Sequence, residues 1–241
     1  MDSILNFFGM VLLSVYNVFQ PFALTIVMYA VLIRILFIVV FTKYFANIKL
    51  GPALQPEIDK MNKKFKNNPE RRNQELPALL ISKGYSLVGN IVNFVIHALF
   101  GLGLSLTLLQ ADKFLTISSE TIPMMLFNLP LNLSPADVMF SGVYPSNYFL
   151  YAAVFFLTAT GLHAYIDKIM EKRSLLDTKK PDTVILLLVT IGCFVLPLGF
   201  SIFWFIVKTL DLVHIMLVDK FYKVNLDKIN KLKAPIRKKA K

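Results

Sequence analysis

Charge is scarce in this sequence: Asp, Glu, Lys and Arg make up 17% of its 241 residues, against 56% apolar ones. So small a charged fraction excludes an ordinary soluble domain of this length, whose surface needs more, and points to a chain embedded in lipid. Cysteine is nearly absent. Cys193 stands alone inside an apolar run, which leaves no disulfide framework and no Cys-based metal site. Acid is scarcer than base, 15 Asp+Glu to 26 Lys+Arg. The basic residues fall between long apolar runs rather than in a patch, so contact with anionic lipid or a ribosome is expected and DNA is not. No Lys or Arg precedes Arg34, and there is no lipobox cysteine, so no cleaved signal is expected.

Catalytic devices are equally thin. No phosphate loop is present. The run Gly101-Leu102-Gly103-Leu104-Ser105 puts its serine outside the glycines, unlike a nucleophile elbow. His97, His163 and His214 lie on separate apolar segments with no carboxylate or Cys spacing suited to a metal. His163 and Asp167 are four apart, as a base and its orienting acid would be, but without a nucleophile they read more simply as an interfacial pair. No enzyme, cofactor or metal is expected. The paired repeats of a secondary transporter are missing too.

What the chain does have is apolar runs of membrane-spanning length, roughly 20 residues each. The expected fold is all-α: a polytopic membrane protein, a bundle of five transmembrane helices with a helical hairpin on the cytoplasmic side. Residues 1–20 read as an outer interfacial helix, with Asn6, Gly9, Asn17 and Gln20 near one face. Pro21 breaks it from the core, 21–222, with spans about 22–42, 87–109, 148–166, 183–196 and 198–218. The last two are separated at Leu196-Pro197-Leu198-Gly199. Between spans one and two, 43–86 forms the hairpin: Leu54, Ile58, Met61 and Phe65 recur at helical spacing, Pro56 is tolerable in a first turn, Asn67-Asn68-Pro69 turns the chain, and Pro77 disturbs the returning helix. Residues 223–241 are a basic tail. The loop 110–147 has Lys113 as its single basic residue, while the hairpin, the 168–180 loop and the tail are rich in Lys and Arg, which predicts the N-terminus outside and the C-terminus in the cytoplasm.

Ionisable and polar groups inside spans are costly, about 2.5–3.5 kcal/mol at the bilayer centre for a charge, so they face partners or water. Arg34 is the deepest such charge. Ser86, Asn90, Asn93 and His97 recur at intervals of four, three and four, giving a polar stripe on span two. Span five carries Ser201, Lys208, Asp211 and His214, with Lys208 and Asp211 spaced to pair. One reading gathers these into a wet groove open to the cytoplasm with Arg34 as a fixed positive centre. The other is polar glue, an Arg34–Asp211 pair holding helices together. Lys208 favours the groove, since one aspartate cannot compensate two buried cations.

Arg34, the hairpin with Leu54-Gln55-Pro56-Glu57-Ile58, Gly89 at the start of span two and the Pro197-Leu198-Gly199 turn together resemble the YidC/Oxa-type membrane protein insertases. The resemblance runs from about Gln20 to Tyr222 and is closest to the short, Gram-positive-like form, including divergent paralogues of it. It implies an insertase or chaperone that moves hydrophilic outer segments of nascent or small membrane proteins or peptides across the bilayer without nucleotide hydrolysis. It also implies a substrate groove in which Arg34 corresponds to the family's arginine, joined by Asn90, Asn93, His97, Ser201, Lys208 and Asp211. The hairpin, through Gln55, Glu57, Lys60 and Lys64, would recruit substrate; the tail would favour the ribosome, and a Sec translocon is a candidate partner. Lys208 stands where the family often has asparagine, and His97 where glutamine is common. The rival expectation is a scaffold or chaperone subunit that binds other transmembrane helices without moving them.

Overall fold

The computed structural model describes residues 2–87, 89–117, 120–121, 125–126, 129–140, 142, 146–173 and 179–222. The tail 223–241, to which the sequence assigns ribosome contact, lies outside the described residues. In chain order come α1 (Asp2–Val18), α2 (Phe22–Leu36), α3 (Ile38–Lys64), α4 (Pro69–Ser82), α5 (Gly89–Leu109) and α6 (Ala111–Phe114). Four two-residue strands follow, β1 (Thr116–Ile117), β2 (Glu120–Thr121), β3 (Met125–Leu126) and β4 (Leu129–Pro130), then α7 (Pro135–Phe140), α8 (Ser146–Arg173), α9 (Lys179–Val195) and α10 (Leu198–Phe221). The strands make two small antiparallel hairpins, β1 with β2 and β3 with β4, in the loop between α5 and α8. The fold is an all-α, multi-pass membrane protein.

Three described helices, α5, α8 and α10, are long and apolar enough to cross a membrane. The other two expected crossings are shorter pieces. α2 has 15 residues, fewer than the roughly 20 a span needs. Its hydrogen-bond ladder nevertheless continues into α3 through Phe37 N–H to Ile33 O and Phe41 N–H to Phe37 O, both 3.1 Å. Within the run 22–42 the helix is interrupted at Phe37 (φ −105°, ψ 18°), just beyond the turn that carries Arg34. The apolar part of α9 is Val184–Val195.

The turn between α9 and α10 follows from its residues. Pro197 has no N–H to give a helix and stands immediately before α10. The first N–H groups of α10 lack partners within the helix. Leu198 N–H finds Leu133 O at 2.6 Å, and Gly199 N–H finds Leu131 O at 2.9 Å. A Cβ at 199 would lie 2.5 Å from Leu108 Cδ1, so a larger residue there would have to displace that buried side chain. The loop between α5 and α8 thus covers the turn with backbone as well as with the fully buried Leu131.

α10 is the hub, packed against α2, α3, α5, α8 and α9. Around its first half lies a core of Phe22, Ile26, Tyr29, Leu104, Phe203 and Trp204. A second cluster, Phe41, Tyr44, Phe45, Ile166, Ile215 and Val218, surrounds its second half. The axes of α1 and α2 meet at 114°, and α1 buries Leu5, Phe8, Leu12 and Val15 against α2, α5 and α6. Asn6, Asn17 and Gln20 are exposed as the sequence predicts, but Gly9 is buried. It leaves the polar face because a Cβ there would sit 3.0 Å from Phe114 O.

The hairpin is α3 with α4, closed by Leu50, Leu54, Ile58, Leu80 and Tyr85. Asn68 caps α4 by accepting from Arg71 N–H at 3.0 Å, with Pro69 at the start of the helix. Pro56 is not in a first turn. It lies with Pro52 inside the 27 residues of α3, which runs from the span into the hairpin without a stop.

Candidate functional site

Between the two apolar clusters on α10 sit three charges on three successive requirements of geometry. α10 presents Lys208, Asp211 and His214 at intervals of three, which places them along one side of the helix. α2 brings Arg34 to the same level. The Arg34 guanidinium donates from Nη1 to Asp211 Oδ1 at 2.5 Å. The Lys208 ammonium donates to the other oxygen, Oδ2, at a longer 3.3 Å. All three residues are buried, at 8% exposure for Arg34, 5% for Lys208 and 1% for Asp211. Two cations therefore share one carboxylate in an apolar setting.

Arg34 is held on every side. Its Nη2 lies 2.9 Å from His214 Nδ1, and His214 Nε2 lies 3.2 Å from Thr42 Oγ1. The Thr42 hydroxyl donates to Ile38 O at 2.7 Å, so its oxygen is left to accept from His214 Nε2–H. That makes His214 the neutral tautomer whose Nδ1 accepts from Arg34. The guanidinium plane also lies over Phe41 at 4.3 Å and Phe45 at 5.2 Å, a favourable arrangement for a desolvated cation. Lys208 is held less firmly, by its one long hydrogen bond and by the Trp204 ring at 5.6 Å.

The two cations border different spaces. Lys208 and Asp211 line a small cavity of about 30 Å³ with Asn93, His97, His163 and Trp204. Arg34 and His214 line a larger, open and mostly apolar recess of about 430 Å³, between the start of α3 and the second half of α10. The geometry thus divides what the sequence gathers into one cavity around Arg34. His97 stacks on Phe41, ring centres 4.9 Å apart, and His163 meets the edge of Trp204 at 5.8 Å. His163 Nε2 is 3.1 Å from Asp167 Oδ2 but is not aligned for a hydrogen bond.

Other residues expected at the site lie elsewhere. Ser201 donates to Cys193 O at 2.8 Å and ties α10 to α9 near their turn, about two helical turns from Lys208. Asn90 is in the first turn of α5, and its side chain is outside the described residues. Ser86 precedes α5 rather than joining its polar face; its backbone exchanges two hydrogen bonds with the Asn47 amide, at 2.8 and 2.9 Å. Gln55 donates to Asp59 at 2.9 Å on the exposed side of α3, Glu57 is 3.6 Å from Lys83, Lys60 is exposed, and Lys64 lies over Phe65. These hairpin residues form a surface separate from the buried charges. Asn47 and Trp204 were not singled out from the sequence. A lone amide near the end of an apolar run and a lone aromatic inside one carry no signal of what they touch.

An all-helical, multi-pass membrane protein with a buried, unequal charge set and a projecting helical hairpin is the class these features define. Residues 14–225 match the family described as 60Kd inner membrane protein, and the chain belongs to that family, which bears out the YidC/Oxa-type resemblance. A curated relative, Membrane protein insertase YidC of Clostridium perfringens (strain 13 / Type A), is 29% identical over 136 residues, covering 54% of this chain. The match spans 57% of that relative's length.

Proposed function

We propose that this protein is a membrane protein insertase that helps hydrophilic segments of small membrane proteins or peptides cross the bilayer, without nucleotide hydrolysis or covalent chemistry. Family membership and the relative's name supply the activity class. The observation that carries the mechanism is the unequal charge set: among the described residues, Arg34 and Lys208 both form their ion pair with Asp211, so two buried cations meet one fully buried carboxylate. An acidic segment entering from the hairpin side exchanges water for those cations, which lowers the cost of leaving solution. The client's apolar helix meanwhile moves to lipid. In this reading the chain crosses the membrane five times with the hairpin in the cytoplasm, the orientation that the Lys and Arg distribution favours. The hairpin surface around Gln55, Glu57, Lys60 and Lys64 meets clients first. The basic tail draws ribosomes or anionic lipid, and a Sec translocon can act beside it.

The test is purified protein in liposomes with a single-span client bearing an acidic distal tail. Insertion above that of empty liposomes supports the proposal, whereas crosslinking to the client without protected tail would make the protein a non-translocating chaperone. Removing either cation leaves a neutral pair with Asp211. Arg34→Ala and Lys208→Ala are therefore each expected to lower insertion of the acid-tailed client about tenfold, the scale of one charge-assisted hydrogen bond. Wild-type insertion by both variants, at normal protein levels, would contradict the charge mechanism.

A further inference from the structure

The polar groups on the wall of the large recess are already paired with one another. Arg34 reaches Asp211 and His214, His214 Nε2 reaches Thr42, and the Thr42 hydroxyl donates to Ile38 O. Among the described residues, the buried side-chain atoms without a hydrogen-bond partner all lie elsewhere. A guest in this recess therefore meets no buried donor or acceptor left to satisfy. It meets the side chains of Ile38, Leu210, Val213, Leu217 and Phe221. Four of these, Ile38, Val213, Leu217 and Phe221, are exposed, so the recess opens on the face that a membrane protein turns to lipid.

Dimensions choose among apolar guests. The α10 wall runs from Leu210 to Tyr222, about 18 Å at 1.5 Å per residue. That is close to one leaflet of a hydrocarbon core roughly 30 Å thick. The leaflet is the one on the hairpin side, where Lys49 of α3 pairs with Asp219 of α10 at 3.3 Å. A helix with its side chains is about 10–12 Å across and would need on the order of 1,500 Å³ over this length. The recess holds about 430 Å³. A helix can lie over its mouth but cannot enter, whereas a single acyl chain can.

The rim adds a charge. The Lys220 ammonium lies over the Phe221 ring at 5.3 Å, and Phe221 lines the recess. The adjacent carboxylate, Asp219, is engaged by Lys49. An exposed lysine at the membrane surface attracts anionic headgroups.

We infer that this recess binds one phospholipid of the hairpin-side leaflet, an acyl chain lying between α3 and α10 and an anionic headgroup meeting Lys220. Dispersion contacts with the walls of two helices hold the chain. The bound chain keeps water from the Arg34–His214 contact, and a drier setting strengthens the neighbouring ion pair with Asp211. The site concerns a lipid, not a client, and stands apart from the insertion reading.

The full-length protein, reconstituted with equal phosphatidylglycerol and phosphatidylcholine and then washed in detergent, is weighed intact with its bound lipid by native mass spectrometry. Wild type should retain one phospholipid, the anionic species favoured about fivefold, the worth of one interfacial lysine. Lys220→Gln should keep a lipid and lose that preference. Val213→Trp and Leu217→Trp each fill the recess from an exposed position and should retain none, with thermal unfolding like wild type. Phosphatidylglycerol carrying a diazirine at its chain end then locates the site. Labelling should concentrate on Ile38, Leu210 and Val213 over Leu188 and Ile191, exposed apolar residues of α9. No retained lipid in wild type, equal retention by the Trp variants, or even labelling of α9 and α10 would overturn the site. Equal retention of the two lipids by wild type would overturn the headgroup contact. A client helix or a second copy of the chain crosslinked at Ile38 and Val213 in place of lipid would give the recess to that occupant and overturn the inference.

Discussion

Asp211→Leu is expected to destabilise the bundle by about 3–5 kcal/mol, the range for removing one partner of a buried ion pair. The reason is arithmetic on the described geometry. Asp211 is 1% exposed and is the carboxylate within reach of both Arg34 and Lys208. Without it two cations face each other in an apolar interior. Changing one cation is milder, since the other still pairs with Asp211. Arg34→Leu and Lys208→Leu should therefore each cost less than Asp211→Leu, and adding Arg34→Leu to Asp211→Leu should recover part of the loss. Thermal unfolding of the purified variants in detergent gives the ranking. A cost for Asp211→Leu no larger than that for Lys208→Leu would mean that the carboxylate is not the common partner.

The second large effect is at Trp204. Its side chain is 2% exposed and stacks on Phe200 at 5.5 Å. It also meets Phe94 at 6.4 Å and His97 at 6.4 Å edge-on. Trp204→Ala is expected to cost about 3–5 kcal/mol as a large-to-small change in a packed core, and more water should enter beside Lys208. Trp204→Phe keeps most of the ring contacts but removes the indole N–H. It should restore most of the stability. Unfolding measured on both variants separates ring packing from the indole N–H. If Phe does not restore stability, the ring contacts described for Trp204 do not carry the core.

Much of this architecture is legible in the sequence because it is local or periodic. Pro197 and Gly199 mark the α9–α10 turn through their own backbone chemistry, and Asn68-Pro69 does the same for the start of α4. Long apolar runs and the alternation of basic loops give the membrane class. Arg34 stands out because a guanidinium inside an apolar run is costly wherever it points. The interruption at Phe37 was not legible: no proline or glycine marks it, and phenylalanine is an ordinary helix residue. Gly9 reads as polar-face filler, yet it is buried because Phe114, far along the chain, approaches it.

The site was legible as a set of residues but not as an arrangement. Spacing alone places Lys208 and Asp211 on one side of α10. Nothing local reveals that Arg34, 177 positions from Asp211, occupies one carboxylate oxygen and leaves the cavity to Lys208. Ser201 shares a helix with those residues, but its hydroxyl is taken by Cys193 O, so helix membership overstated its part. Such contacts depend on how α2, α5 and α8 are rotated about α10, and that is settled by packing across the whole bundle.

The central claim is that the buried cations around Asp211 receive acidic client segments. Its most direct test is wild-type protein in liposomes offered one client with an acidic, an amide or a basic distal tail at the same positions. The account predicts the acidic tail inserted fastest, about tenfold over the amide, and the basic tail slowest. Equal insertion of all three, or faster insertion of the basic tail, would contradict it.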